Sequence, residues 1–195
     1  MHNATLSEKN LENQILALVG MPGAGKSEAI AYIEKKGIPF VRFGTITDEG
    51  VEELGLPLTP ENERTFREKI RQELGMGAYA IKSKPKIDAL LKQSKVIAID
   101  GLYSWEEYAY LKEVYPHFIL IHVYSEPKIR YARLEKRTIR PISPKQAKIR
   151  DIAELEKLNK GGPIAIADYM LENNTDDIAD LHRKIDNLFS RLHIH

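Results

Sequence analysis

The run Gly20-Met21-Pro22-Gly23-Ala24-Gly25-Lys26-Ser27 matches G-x-x-x-x-G-K-[ST], a loop pattern that holds phosphate. Glycines let the main chain close around phosphate oxygens with no Cβ in the way. The N–H groups of Gly20, Gly23, Ala24, Gly25, Lys26, Ser27 and Glu28 form the expected nucleotide-holding set, with a helix N-terminus adding partial positive charge. Lys26 has the reach for the β- and γ-phosphates of a nucleotide, and the Ser27 hydroxyl is a Mg²⁺ ligand by type.

Such a loop must be positioned by a strand before it and a helix after it. Gln14–Val19 is an apolar run that reads as a buried strand, and Ser27–Lys36 reads as a helix ended by Gly37. A second strand is expected over Ile38–Phe43, ending at Gly44, and a short helix over Ile46–Leu54. Thr59 followed by Pro60, Glu61 and Glu63 is a strong helix start, and the spacing predicts a helix to Leu74. A further helix covers Ala78–Lys92, with Pro85 expected to kink or restart it. Val96–Asp100 is an apolar strand ending in a carboxylate. Then come a helix over Trp105–Val114, a strand over His117–Tyr124, and a helix from Glu126-Pro127 to about Arg137. Ser143-Pro144 starts a helix toward Leu158, and Gly161-Gly162-Pro163 is expected to break the chain. Tyr169–Glu172 is the last strand and Asp176–Leu192 the last helix. Apolar strands alternating with helices predict an α/β fold with a parallel sheet covered on both faces. Ligands then bind at the C-terminal edge of the strands, where the glycine loop and Asp100 both lie.

Other residues add chemistry at that edge. Asp100 follows four apolar residues, and two readings stand: a carboxylate aimed at the Mg²⁺ near Ser27, or a cap on the Asp-Gly turn. Arg130, Arg133, Lys136, Arg137, Arg140, Lys145, Lys148 and Arg150 form a late basic cluster. Arg130, Arg133 and Arg137 are spaced to share a helix face. Phosphoryl transfer needs such charge around the moving group, and an arginine-bearing lid supplies it while excluding water. The plainer reading is a solvated basic face. Arg133, Arg137 and Arg150 are the strongest candidates for phosphate contact. Arg42, Thr45, Thr47, Asp48, Arg64, Arg67 and Arg71 form a second polar group. Arg67 or Arg71 suits bidentate capture of an acceptor's phosphate; equally, they are exposed helix charges paired with Glu63, Glu68 and Glu73. The six histidines show no metal-ligand spacing, and Tyr103, Trp105, Tyr108 and Tyr110 read as packing residues.

Composition narrows the class. The chain has 195 residues, 43% of them apolar, enough for one domain with a normal core. A net charge of +1 argues against nucleic acid or an acidic membrane as partner. With no cysteine, disulfides and thiolate metal sites are excluded. The polar start, Met1–Asn10, lacks a signal-peptide core, and no apolar run is long enough for a membrane span. A soluble cytoplasmic protein, monomeric or a small homo-oligomer, is the expectation.

The stretches GMPGAGKSE, LTPEN, GMGAYA, AIDGLYSWEE and IADYMLENN together resemble the nucleoside monophosphate kinase-like P-loop proteins. The resemblance is closest to the dephospho-CoA kinase-like and adenylate kinase-related group, and runs from about residue 14 to 190. It implies a three-layer P-loop NTPase fold whose five-stranded parallel sheet has the order 2-3-1-4-5. It implies one domain over residues 1–195, with an acceptor-binding segment at about 44–93 and a lid at about 138–160. It implies ATP with Mg²⁺ as donor and a nucleotide-like acceptor. By the same resemblance Asn173 and Asn174 flank the adenine, and Lys26, Arg133, Arg137 and Asp100 carry catalysis. Asp48, Arg67, Arg71 and Arg150 then hold the acceptor. Two positions depart from the pattern: Thr45 stands where an Asp follows the glycine after strand two, and Tyr103 where an Arg follows Asp-Gly-hydrophobic. Both departures concern the acceptor. Two activities compete: a small-molecule kinase of nucleoside monophosphate or dephospho-CoA type, and an ATP-hydrolysing regulatory P-loop protein without an acceptor. A GTPase is disfavoured because no Asn-Lys-x-Asp stretch is present.

Overall fold

The computed structural model describes residues 13–194; the expectation for Met1–Asn10 lies outside them. Five strands form one sheet: β1 (Gln14–Val19), β2 (Phe40–Arg42), β3 (Val96–Asp100), β4 (Phe118–Tyr124) and β5 (Tyr169–Glu172). Every pairing is parallel, and the order is β2-β3-β1-β4-β5, as the resemblance implies. β1 occupies the centre, and its residues Ile15 to Val19 are all buried, the two-sided burial that a covered parallel sheet imposes.

The connections are helical: α1 (Lys26–Lys35), α2 (Thr45–Glu53), α3 (Pro60–Leu74), α4 (Ala78–Leu91), α5 (Trp105–Val114), α6 (Pro127–Glu135), α7 (Pro144–Leu158), α8 (Gly161–Ala165) and α9 (Ile178–Leu192). One face of the sheet packs Ile15, Ala17 and Ile97 against Tyr79, Ile87 and Leu111 of α4 and α5. The other packs Leu16, Leu18 and Val123 against Ile30 and Ile33 of α1 and Leu181, Ile185 and Phe189 of α9. Cap chemistry sets several ends. Thr59 Oγ1 accepts from Asn62 N at 3.2 Å with Pro60 at the first position of α3. Ser104 with Glu107 and Ser143 with Gln146 form capping boxes on α5 and α7.

Several expectations are corrected. β2 starts at Phe40, not Ile38: Pro39 has no N–H to give a ladder, although its carbonyl accepts from Ala98 N. α4 runs unbroken through Pro85. Gly161–Pro163 does not break the chain but opens α8, where Pro163 sits in the first turn and its missing N–H has no intrahelical partner to lose. α6 ends at Glu135 rather than Arg137, because the chain folds back and Ile142 N bonds to Leu134 O at 3.2 Å. Among the described residues no helix is long and apolar enough to cross a membrane.

Candidate functional site

The loop between β1 and α1 has the backbone that its glycines allow. Gly23 and Gly25 have φ of 81° and 103°, where an L side chain is strained. A Cβ on Gly25 would lie 2.2 Å from Asn173 Nδ2, and one on Gly23 would lie 2.7 Å from Arg130 O. The loop is clasped from outside. Asn173, at the end of β5, donates Nδ2 to Ala24 O at 2.9 Å. Arg130 on α6 donates Nη1 to Pro22 O at 3.0 Å.

Arg130 is not a surface cation. It is 4% exposed and pairs bidentately with Asp151 of α7 at 3.0 and 2.7 Å, with Nε donating to Ser125 O. The expected shared face of Arg130, Arg133 and Arg137 therefore does not form. Arg130 turns inward to the loop, Arg133 turns toward β5, and Arg137 lies beyond the helix end.

Lys26 folds back over the loop, donating Nζ to Gly20 O at 2.7 Å and Met21 O at 3.2 Å. Burial, and next the charge of Lys160, push its pKa down to about 7. Asp100 ends β3 in register with Leu18 of β1, two residues before the loop. Burial raises its carboxyl above the usual range, against the pull of Lys26 and Arg42. Ser27 is exposed at the start of α1, and Glu28 bonds to His182 at 3.0 Å. A partly buried carboxylate and an exposed hydroxyl fit Mg²⁺, which binds through one or two protein oxygens plus substrate phosphates and waters. Among the described residues no cluster of three or more His, Cys, Asp or Glu could hold a metal by itself; Ser27 and Asp100 are the side chains whose chemistry suits one held together with substrate phosphates. When bound, Mg²⁺ neutralises charge on the phosphate oxygens.

Two cavities lie at this edge of the sheet, the smaller of them bordered by the loop residue Gly25. The smaller, about 200 Å³, is lined by Gly25, Glu28, Arg133, Asn173, Thr175 and Leu181 among others. Arg133 is held there by Asn173 O at 2.9 Å and Thr175 O at 2.5 Å, not over the larger cavity. Asn174 does not line it: its Oδ1 accepts from Glu126 N at 2.8 Å, tying β5 to the start of α6.

The larger cavity, about 480 Å³, lies between α2–α4 and α7. Arg42, Arg67, Arg71, Arg140 and Arg150 line it, with Asp48, Glu63 and Glu154 as its carboxylates. Asp48, Arg67, Arg71 and Arg150, drawn from three separate helices, thus meet at one hollow. Four of the arginines have carboxylate partners: Arg42 with Asp48, Arg67 and Arg140 with Glu63, and Arg150 with Glu154. Among the described residues Arg71 has none; its Nε is buried without an acceptor there, and its guanidinium lies 5.2 Å from the Tyr79 ring. The Arg64 side chain is not in the lining, and Glu68 and Glu73 do not pair with Arg67 or Arg71. Arg137 makes no hydrogen bond or ion pair among the described residues, and burial and Arg150 lower its pKa. Tyr103 is a lining residue and not only packing; burial pushes its hydroxyl up to about 12. Thr45 caps the end of β2 by donating to Arg42 O at 2.7 Å.

Sequence reasoning missed Glu107, Glu154 and Lys160. Glu107 is fully buried, its carboxyl pushed up to about 7 by burial, and it accepts from Tyr103 N at 2.7 Å. Its capping-box position behind Ser104 was the available signal. Lys160 is 1% exposed and bonds Glu154 at 2.6 Å. It lies between Asn159 and Gly161, where nothing local in the sequence marks it.

Comparison with known proteins agrees with this architecture. The family model described as "AAA domain" matches residues 16–151. A UPF0200 protein of Thermococcus sibiricus is 38% identical over 184 residues, covering 92% of this chain and 96% of that one. A UPF0200 protein of Methanocaldococcus jannaschii is 32% identical, covering 91% and 90%. Solved structures share the fold at low identity. A shikimate kinase from Bacteroides thetaiotaomicron has a TM-score of 0.59 at 14% identity, covering 92% of this chain and 98% of that one. A dephospho-CoA kinase from Campylobacter jejuni has a TM-score of 0.53 at 16% identity, covering 93% and 98%. The chain belongs to the AAA-domain family of P-loop proteins, and within its close relatives to the UPF0200 proteins.

Proposed function

We propose that this protein transfers the γ-phosphoryl group of ATP to a small, anionic, nucleotide-like acceptor. One observation carries the reading: a cavity of about 480 Å³ with five arginines in its lining lies at the same strand edge as the phosphate loop, and the charge of one of them, Arg150, acts on Lys26. A nucleotide switch needs no such hollow, whereas an acceptor with its own phosphate needs both room and fixed positive charge.

In this reading the loop N–H groups and Lys26 hold the donor's polyphosphate, and its base lies against Asn173 and Arg133. Arg71, the lining arginine without a carboxylate, takes the acceptor's anion. Asp48, on α2 and paired with Arg42 at 3.4 Å, orients the attacking hydroxyl and receives its proton. The acceptor oxygen forms its bond to the γ-phosphorus as the bond to the β-phosphate oxygen breaks, and ADP leaves. Positioning and fixed positive charge supply the rate.

The test is ADP formation from MgATP across a panel of nucleoside monophosphates, dephospho-CoA and other phosphorylated metabolites. Strong stimulation by one acceptor, lost in Arg71→Met through a raised KM, is the expected result. Slow hydrolysis indifferent to every acceptor and responsive to a protein partner would instead identify a regulatory ATPase.

A further inference from the structure

The surroundings of Lys160 are unusual for a lysine. It is the residue before α8, reached after Asn159 turns the chain out of α7 with φ of 51°. Its side chain is 1% exposed. An ammonium group has three donors and cannot be left dry without acceptors. Among the described residues Lys160 Nζ has one oxygen, Glu154 Oε2 at 2.6 Å, and one ring face, that of Tyr103 at 4.8 Å. Glu154 is itself shared: its Oε1 accepts from Arg150 Nε at 3.2 Å. Glu154, Arg150 and Tyr103 all line the arginine cavity, so Lys160 stands directly behind its wall.

Through the Tyr103 ring, three residues beyond Asp100, Lys160 lies near the end of β3, whose Asp100 stands in register with Leu18 just before the phosphate loop. Of the ionised groups acting on Lys26, Lys160 acts most strongly, and its charge is also felt at Asp100. Two ammonium groups brought together out of water repel each other, and the arrangement is stable only with an anion beside them. Glu154 supplies one for Lys160; the charges of Glu154 and Asp100 also act on Lys26, but among the described residues its ammonium group bonds only carbonyl oxygens. Lys160 and Arg150 share Glu154 at the cavity wall, and the charges of both act on Lys26, so a phosphoryl group passing from the loop to the cavity would meet all three.

We propose that Lys160 is a second phosphoryl-binding lysine, and that Glu154 is an internal anion occupying Lys160 and Arg150 until the donor's terminal phosphoryl group takes its place. This rests on the reading of the loop as a nucleotide site, and the experiment separates the two. Wild type, Lys160→Met and Glu154→Gln are titrated calorimetrically with MgADP and with Mg²⁺ and the non-hydrolysable ATP analogue AMP-PNP. Lys160→Met weakens AMP-PNP binding by about tenfold or more, the size of one charge-assisted hydrogen bond, and changes ADP binding by no more than about twofold. Glu154→Gln, nearly isosteric, removes the competing charge and tightens AMP-PNP binding several-fold with ADP unchanged. Should Lys160→Met fail to fold, Glu154→Gln carries the comparison alone. Equal effects on both nucleotides, or none, overturn the role of Lys160 and leave the nucleotide site standing. Failure of wild type to bind either nucleotide overturns both.

Discussion

Nucleotide binding should draw a proton from solution, and the amount follows from Lys26. Burial, and next the charge of Lys160, push the pKa of its ammonium group down from 10.5 to about 7. That depression costs the charged form roughly 5 kcal/mol, at about 1.4 kcal/mol for each pH unit. A polyphosphate beside Lys26 reverses the balance, because the anion favours the charged ammonium. At pH 8 only about one Lys26 in ten is charged before binding, so uptake approaches roughly 0.9 proton per nucleotide. Affinity should then fall by about tenfold for each pH unit above 7, and level off below about pH 6. The assay is calorimetry with MgADP at pH 8 in buffers of different ionisation enthalpy. The slope of observed heat against buffer enthalpy counts the protons. Lys26→Met abolishes both the slope and most of the affinity. Tight binding by wild type with zero slope would refute the reasoning, since Lys26 would then carry the same charge with and without phosphate. The same depression acts on folding: the unfolded chain holds this proton between about pH 7 and 10.5 and the folded one does not. Lys26 alone therefore makes stability rise with pH across that window.

Arg130→Met leaves Asp151 buried without its bidentate partner and frees Pro22 O; a loss of about 3–5 kcal/mol in urea unfolding is expected. Gly25→Ala forces a Cβ to 2.2 Å from Asn173 Nδ2 at φ of 103° and should abolish MgADP binding. Gly50→Ala, whose Cβ would lie 2.0 Å from Phe66, should instead cost about 1–3 kcal/mol of stability and spare nucleotide affinity in the folded protein. The Glu107 carboxyl is raised from 4.5 to about 7, so the folded protein keeps a proton in that window that the unfolded chain has lost. Stability from this group therefore declines as pH rises from 4.5 to about 7, and Glu107→Gln should flatten that part of the pH–stability curve.

What could be read from the residues alone was local chemistry. The phosphate loop, the Thr59-Pro60 start of α3 and both ends of α5 depend on residues within a turn of one another, and each lies where the chain spells it. The burial of β1 and β3 followed from continuous apolar runs. The meeting of Asp48, Arg67, Arg71 and Arg150 at one cavity followed from topology, since the strand order brings α2, α3 and α7 to the same edge. Burial of individual charges was not legible. Arg130, Arg133 and Arg137 have identical spacing signals, and only the positions of Asp151, Asn173 and the turn after Glu135 send them in three directions. Lys160 was invisible for the same reason: its neighbour Glu154 is close in sequence, but Tyr103 and Lys26 are near it only in space. Pro163 misled because proline breaks a helix interior yet is welcome in a first turn.

The most direct measurement is a crystal structure of the protein soaked with MgATP analogue. The β-phosphate should lie among the main-chain N–H groups of residues 23–28, with Lys26 Nζ swung off Gly20 O onto phosphate oxygen and metal density beside Ser27 and Asp100. An empty loop in crystals soaked at saturating analogue, with Lys26 still donating to Gly20 O, would contradict the account.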